Sequence, residues 1–431
     1  MSPRKYVPLL VGVLLLAALL LVPLSRSSSP SNQGNPVAGS VVQPSSSETH
    51  PDRLAEIHVN VSLPEDQFRL LQQANQRFMM KYPHIQVKLT NEEELRSAYG
   101  LWKRQSQQGA AADVMLLDNG FVKPFAVQGY LKAVDRLVTG DATADQMAGL
   151  LEPLKWNGYL WGKPKDVSPY LVVWSRALLE KAGLQEPPGD WTAYQQAAAA
   201  LIGIDSEINI LNWSGGDYIQ QLGWIARFQP EQSNLINLDP PNDSQSEQLL
   251  WLQSMEAHIS RLDTASVPEW KKAFREGKLL AAILPWHVYR ELGTAVQKGL
   301  IVDKEHLNFS WLNGRSFVIS SGSAAEEEAM LWIGEMTDIH HQRTTYERFG
   351  RLPVSASLYA SGVGSISDQS EAPPAWLKKV LEEKQPDDQL PHADPDWPDK
   401  WLQLEGQWRQ FSEDGLHLDA FVESLRNRDA G

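Results

Sequence analysis

The sequence predicts an α/β fold in two domains, and three observations carry that reading. The chain has 431 residues, more than one ordinary hydrophobic core organises, and at about 100–200 residues per domain it divides in two. Its first folded stretch reads strand, helix, strand, helix, strand, the order of a parallel sheet with crossover helices. Hydrophobic residues make up 42%, a globular share that allows a sizeable core.

The N-terminus comes first. "MSPRKYVPLLVGVLLLAALLLVPL" places Arg4 and Lys5 before an apolar run from Val7 to Leu24, about 18 residues and enough to span a bilayer. Charge before the run keeps the N-terminus inside and exports the rest. No A-x-A-like cleavage site follows, so residues 1–24 are expected to remain as an uncleaved membrane anchor rather than leave as a signal peptide. Residues 25–52 are rich in Ser, Pro, Asn, Gln and Gly. They bury too little to offset their ordering entropy and read as a disordered tether.

The folded part is expected from Arg53. Ile57, Val59 and Val61 alternate as in a half-buried strand. Ser62 and Glu65 have capping-box spacing, with Pro64 in the first turn, and Phe68, Leu71, Ala74 and Phe78 form one helical face. "IQVKL" after Pro83 and "ADVMLLD" (Ala112 to Asp118) supply two more strands. Further on, "DWTAYQQAAAALI" opens at Asp190 as N-cap. "WKKAFREGK" and "AEEEAMLWIGEMT" read as helices, "KLLAAILPW" and "RSFVIS" as strands. "QPDDQLPHADPDWPDKW" reads as a loop before a last amphipathic helix, "HLDAFVESLRN".

Composition excludes several functions. A formal charge of −14 does not suit a nucleic-acid binder, which needs a basic stripe. No cysteine is present, which removes disulfides, thiol nucleophiles and thiolate metal sites. His340 and His341 are adjacent, so on a helix they point about 100° apart and do not chelate one ion. "DPDWPDK" lacks the central Gly and the bidentate Glu of a calcium loop. No phosphate cradle, nucleophile elbow or zinc-protease motif occurs, and no pair among the 53 acids stands out for glycoside chemistry. No catalytic residue, metal site or cofactor is expected.

Aromatic content points elsewhere. Sixteen tryptophans are present, and Trp161, Trp213 and Trp286 sit beside turn residues. An indole covers the C–H face of a sugar ring at small entropy cost, while Asp, Asn and Glu accept from its hydroxyl rim. Core packing is the ordinary use of any single Trp; the set together favours a carbohydrate or similar polar ring.

Taken in order, several segments resemble family 1 of the extracellular solute-binding proteins, which serve ABC sugar importers. "FMMKYPHIQVKL" is similar to the family's F-x-x-x-y-P-x-I-x-V, and "ADVMLLDNGFVKPFAVQGYLKAVDRLV" to its D-V-x-x-x-D followed by G-x-L-x-x-L/V-D. "NGYLWGKPKDVSPYLVVWSRALLEKAGLQEPP", "AFREGKLLAAILPWHVYREL", "FVISSGSAAEEEAMLWIGEMT" and "ERFGRLPVSAS" resemble later segments, over about residues 55 to 355. Trp174-Ser175 stands where the family usually has Tyr-Asn, Lys163 where it has an apolar residue, and Leu284 where it has Gly.

The resemblance implies a two-lobed periplasmic-binding-protein-like fold of type II, with hinge strands between the lobes and the ligand in the cleft. The implied lobes are 53–163 with 317–350, and 164–316 with 351–431. The implied ligand-binding residues are Asp118, Asn119, Lys165, Asp166, Trp213 and Trp286. The implied function is capture of a sugar or oligosaccharide outside the cytoplasmic membrane and delivery to ABC permease subunits, without bond chemistry. The alternatives are a membrane-tethered sensor of the same fold that signals occupancy to a kinase, and an exported glycoside-acting enzyme.

Overall fold

The computed structural model describes residues 54–92, 94–139, 145–214, 217–228, 241–304, 313–359, 372–384 and 390–427, all within the unit Asp52–Gly431. The expected anchor, 1–24, and tether, 25–52, lie outside the described residues.

The strands in chain order are β1 (Ala55–Val61), β2 (Ile85–Asn91), β3 (Val114–Asp118), β4 (Leu131–Lys132), β5 (Lys155–Trp156), β6 (Tyr159–Leu160) and β7 (Lys163–Val167), then β8 (Tyr170–Ser175), β9 (Asn209–Asn212), β10 (Ile259–Ser260), β11 (Leu279–Pro285), β12 (Leu300–Asp303) and β13 (Gly314–Ser320). They form a six-stranded sheet in the order β2-β1-β3-β13-β4, with β7 also on β13, and a five-stranded sheet in the order β10-β9-β11-β8-β12. A small hairpin joins β5 to β6.

The opening strand–helix–strand grammar forms as expected. β1 lies parallel between β2 and β3, and the helices Glu65–Lys81 and Leu95–Gln107 cross over between them. Leu71, Ala74 and Phe78 are buried on the first helix, with Phe68 packed against the same core. Asp190 caps the helix Trp191–Ile204 by accepting from the Ala193 N–H at 2.8 Å.

Two local expectations are corrected. The Ser62–Glu65 capping box does not form: Pro64 is the N-cap, extended at φ −52° and ψ 146°, with no side-chain cap. Glu65 is therefore the first helical residue rather than the third, and a first-turn carboxylate meets the helix dipole without closing the box. The expected loop through "DPDWPDK" ends early. The helix Trp397–Glu413 begins inside it with Pro398 in the first turn, where a missing N–H removes no helical bond. Trp397, Trp401, Leu404, Trp408 and Phe411 are buried, a 4-3-4-3 spacing that makes one continuous apolar stripe.

The five-stranded sheet is buried on both faces. Val172, Trp174, Ala281 and Ile283 belong to one core with the six-stranded sheet, while Leu171, Val173, Ala282 and Leu284 belong to a second core, as the two-residue period of a strand requires. The chain passes between the sheets after Val167, between β12 and β13, and beyond the helix Ile339–Phe349. These are the passages of a two-lobed binding-protein fold.

Candidate functional site

Strand direction sets the site. β1, β2 and β3 are parallel, so Val61, Asn91 and Asp118 end at one edge of the six-stranded sheet. β13 runs against both β3 and β7, and its register pairs Arg315 with Asp118 on one side and with Asp166 on the other. Asp118, Arg315 and Asp166 thus form one row. In the second sheet β9 and β11 are parallel, and antiparallel β8 starts opposite their ends, Tyr170 facing Pro285. Only Ser168 and Pro169 separate β7 from β8, so the two edges meet there. Crevices outside the carboxyl ends of strands are where open α/β sheets bind ligands.

Three passages of chain are tied together at this point. Ser168 N–H donates to the Asn313 carbonyl at 3.2 Å, and the Asn313 amide donates back to the Ser168 carbonyl at 3.1 Å. Asn313 holds φ 59°, a left-handed conformation Asn tolerates better than most residues. Arg351 reaches both the carbonyl and the side chain of Asn313, and Val167 and Leu352 exchange backbone bonds of 3.1 and 2.7 Å. Ser168 Oγ also lies 2.8 Å from His287 Nδ1. Burial, with Arg351 and Arg315 nearby, lowers that imidazole to about 4, so it stands neutral there.

Asp166 is the electrostatic centre. It is 2% exposed and accepts from Arg315 Nε at 2.9 Å and Nη2 at 2.7 Å, from Arg351 Nε and from Lys165 Nζ. Burial alone would raise its carboxyl; Arg315, Arg351 and Lys165 together hold it well below the usual range. Lys165 is lowered to about 8 by burial, against the pull of Asp166. Arg315 also reaches Gln67 Oε1 at 3.1 Å.

Asp118 differs. Its N–H donates to the Tyr99 hydroxyl at 2.6 Å. Burial raises its carboxyl in spite of Arg315 and Arg351. Asn119 is buried at the start of the helix Asn119–Val127 and accepts from Ser316 Oγ at 2.6 Å. Across from these, the Tyr170 hydroxyl donates to Asp217 Oδ2 at 2.9 Å, and burial lifts the Asp217 carboxyl to about 6 against that bond.

The structure therefore gathers Asp118, Lys165 and Asp166 around Arg315 and Arg351, with Asn119 one strand position away through Ser316. It does not bring Trp213 and Trp286 together. Trp213 belongs to the first core and donates from Nε1 to Ser412 Oγ at 3.0 Å. It lines a cavity of about 60 Å³ with Gln253, Arg261 and Phe411. Trp286 belongs to the second core, beside Tyr289 at 5.7 Å and Trp376 at 6.3 Å. Trp161 packs on Trp156 and donates to its carbonyl at 2.9 Å. Arg315, Arg351, Tyr170, Asp217 and Asn313 were not singled out in the sequence. The usable signal was the repeated Gly-Arg at Gly314-Arg315 and Gly350-Arg351, isolated cations at the ends of apolar segments.

The helix Trp397–Glu413 lies across this region. Its start touches the six-stranded side, through Trp397 on Phe121 at 6.0 Å, Asp399 on Lys103 at 2.6 Å and the Pro395 carbonyl on Gln128 at 2.9 Å. Its end touches the five-stranded side, through Trp408 on Trp213 at 6.4 Å and Ser412 on Gln221 at 2.6 Å. No trio of His, Cys, Asp and Glu suited to a metal ion occurs among the described residues, and none of their helices is long and apolar enough to cross a membrane.

Residues 64–338 match the model of the bacterial extracellular solute-binding proteins, well over half of the chain. The chain belongs to that family. Solved structures share the fold of this solute-binding protein at low identity. The sugar-binding protein MalE of Xanthomonas citri is similar at a TM-score of 0.64 and 16% identity, covering 87% of this chain and 96% of that one. A solute-binding protein of Agrobacterium vitis S4 with bound D-mannitol gives 0.63 and 18%, covering 88% and 99%. A chitin oligosaccharide binding protein gives 0.63 and 14%, covering 88% and 99%. A Brucella abortus (strain 2308) protein described as a binding protein is 24% identical over 99 residues, 23% of this chain. This solute-binding protein spans about a quarter of the length of that relative, which has 24% of its own chain in the match. Membership of an extracellular family places the protein outside the cytoplasm, and its family and these structural relatives are described as binding proteins.

Proposed function

We propose that this solute-binding protein captures a sugar or oligosaccharide between its two sheets and presents it to the permease of an ABC importer. The observation that carries the reading is the meeting of both strand edges at Ser168, with Asp118 and Asn119 on one side and Tyr170, Asp217 and Trp213 on the other. Carboxylates and an amide accept from a hydroxyl rim, and the largely buried Trp213 indole backs that wall. The structural relatives, one a sugar-binding protein, one with bound D-mannitol and one that binds chitin oligosaccharides, support this ligand class.

In this reading Lys165 and Asp166 form the floor of the cleft. The oxygens of Asp166 are taken by cations of the hinge, so its part is to aim Arg315 and Arg351 rather than to meet the ligand. The lobes are proposed to divide near the expected bounds of 163/164 and 316/317, with the pairing of β7 and β13 supporting a place for both strands in the first lobe and a hinge through Ser168, Asn313 and Arg351. The segment 1–24 anchors the receptor, and the tether keeps it at high effective concentration near its permease.

Calorimetry of the full chain against maltose, xylo-oligosaccharides, chitin oligosaccharides and mannitol tests the reading. At least one is expected to bind, and Asp118→Asn is expected to weaken it by about tenfold or more, the size of one charge-assisted hydrogen bond. Silence across a broad sugar panel would overturn it.

A further inference from the structure

A second concavity runs along β12, which ends the five-stranded sheet among the described residues. It encloses about 660 Å³, within the range of about 300–1,000 Å³ typical of small-molecule sites. Its walls include Arg176, Lys304, Arg290, Trp286, Tyr289 and Trp376, and they share no residue with the Asp118–Asp166 cluster or the Trp213 cavity. We propose that this groove binds a ring-bearing anion, such as an acidic sugar, at a site separate from the cleft between the sheets.

Charge is the first argument. The chain carries 53 acids and a net charge of −14, yet no Asp or Glu is among the described residues that line this groove, and three cations are. Arg290 is committed to the backbone, donating to the Tyr346 carbonyl at 2.6 Å. Arg176 and Lys304 are exposed and have no ion-pair partner among the described residues. An anion touching Arg176 and Lys304 meets them well inside the screening distance of about 8–10 Å. Among the described residues, the acids next to lining residues in sequence are Glu291, Glu347 and Asp303, the last paired with Arg227.

The second argument is an unused donor. Trp286 is 5% exposed, and its Nε1 has no hydrogen-bond partner among the described residues. A buried indole N–H ordinarily finds one. The groove thus offers donors from Arg176 and Lys304, with the unpartnered Trp286 N–H buried in its wall, and no carboxylate among the described residues that line it.

The third argument is a platform. Lys304 Nζ sits 5.5 Å from the centre of the Trp376 ring, and Trp376 meets Trp286 edge-on at 77°. A sugar ring whose C–H face packs against the Trp376 indole next to Lys304 brings its carboxylate to that cation, which accounts for a ring and a charge in one ligand.

The test is ¹⁵N indole NMR of the full chain titrated with glucuronate, glucose and inorganic phosphate. Glucuronate is expected to move the Trp286 and Trp376 signals while Trp213 stays still. Exchange of both Arg176→Glu and Lys304→Glu is expected to weaken that response by about tenfold or more. Both side chains are exposed, and an unchanged melting temperature confirms that the variant is folded. Trp376→Ala, which keeps the charges, is expected to weaken glucuronate and leave phosphate unaffected. The proposal is overturned if glucose moves the same signals equally, if phosphate alone reproduces the full response, or if the charge-reversed protein still responds. A sugar bound in the cleft shifts Trp213 instead, so failure here and failure of the importer reading are distinct.

Discussion

At the edge of the six-stranded sheet one carboxylate, Asp166, lies buried under Arg315, Arg351 and Lys165. On the side of the five-stranded sheet, apart from the buried Arg227–Asp303 pair at the end of β12, one buried set is neutral, with Trp213 Nε1 and Gln221 Nε2 meeting on Ser412 Oγ. Both arrangements satisfy groups cut off from water, but they differ in what a break costs. An ion set loses its only compensation for desolvation, whereas a neutral donor loses one hydrogen bond. The charged set ties strands whose register cannot slip. The neutral set ties a helix that reaches across from the other side.

The sharpest way to break this comparison is Asp166→Ala. It leaves three cations buried around an empty position and is expected to cost about 3–5 kcal/mol, the scale for removing one partner of a buried ionic set. Urea unfolding measures it, and a loss below about 1 kcal/mol would show that the hinge charges are effectively solvated. Ser412→Ala applies the same logic to the neutral side. Two buried donors, Trp213 and Gln221, lose their acceptor, and about 1–3 kcal/mol is expected. An effect equal to that of Asp166→Ala would erase the distinction.

Acid titration sharpens the contrast further, because the carboxyls near the hinge shift in opposite directions. Asp217 is raised from 3.8 to about 6 by burial, so between these values the folded chain holds a proton that the unfolded chain has lost. Its contribution is full below about pH 4 and fades as pH rises through about 6, by about 3 kcal/mol. Asp166 is held well below its ordinary value. Its contribution is full above about pH 4 and is lost as pH falls below that. Asp217→Asn is expected to flatten the fall in stability between pH 4 and 6 and to leave the acid limb. Measurement of the urea midpoint against pH separates the two limbs.

The scaffold was legible because its signals are local. Alternation in β1, the apolar face of the helix Glu65–Lys81 and the cap at Asp190 each need only a few neighbouring residues. The candidate site was reached only through the family resemblance, which implied Asp118 and Asp166 as ligand-binding residues. Their partner Arg315 is separated from Asp166 by 149 positions, and only the β13 register reveals it. The tryptophans mislead for a related reason. Trp102, Trp174, Trp224, Trp270, Trp332 and Trp408 are fully buried, so most of the aromatic excess packs cores. Trp286 lies beside Pro285 as expected, yet it opens the helix Trp286–Glu291 and packs in the second core, while Trp213 packs in the first. The helix Trp397–Glu413 had a readable 4-3-4-3 apolar spacing, hidden by three nearby prolines that suggested a loop.

That helix supplies the mildest test. Its first turn meets the helix Leu95–Gln107 through Asp399 and Lys103 at 2.6 Å, side chains that are 56% and 16% exposed. An ion pair open to water on one side gains little, because solvent screens it and two flexible side chains must be held still. Asp399→Asn is therefore expected to cost only about 0.2–1 kcal/mol, and less in 0.5 M salt than in dilute buffer. The comparison rests on charge being decisive only where it is buried. A loss above about 2 kcal/mol, insensitive to salt, would mean that this crossing point works as the hinge does, and that the helix is clamped by charge rather than by Trp397 packing on Phe121.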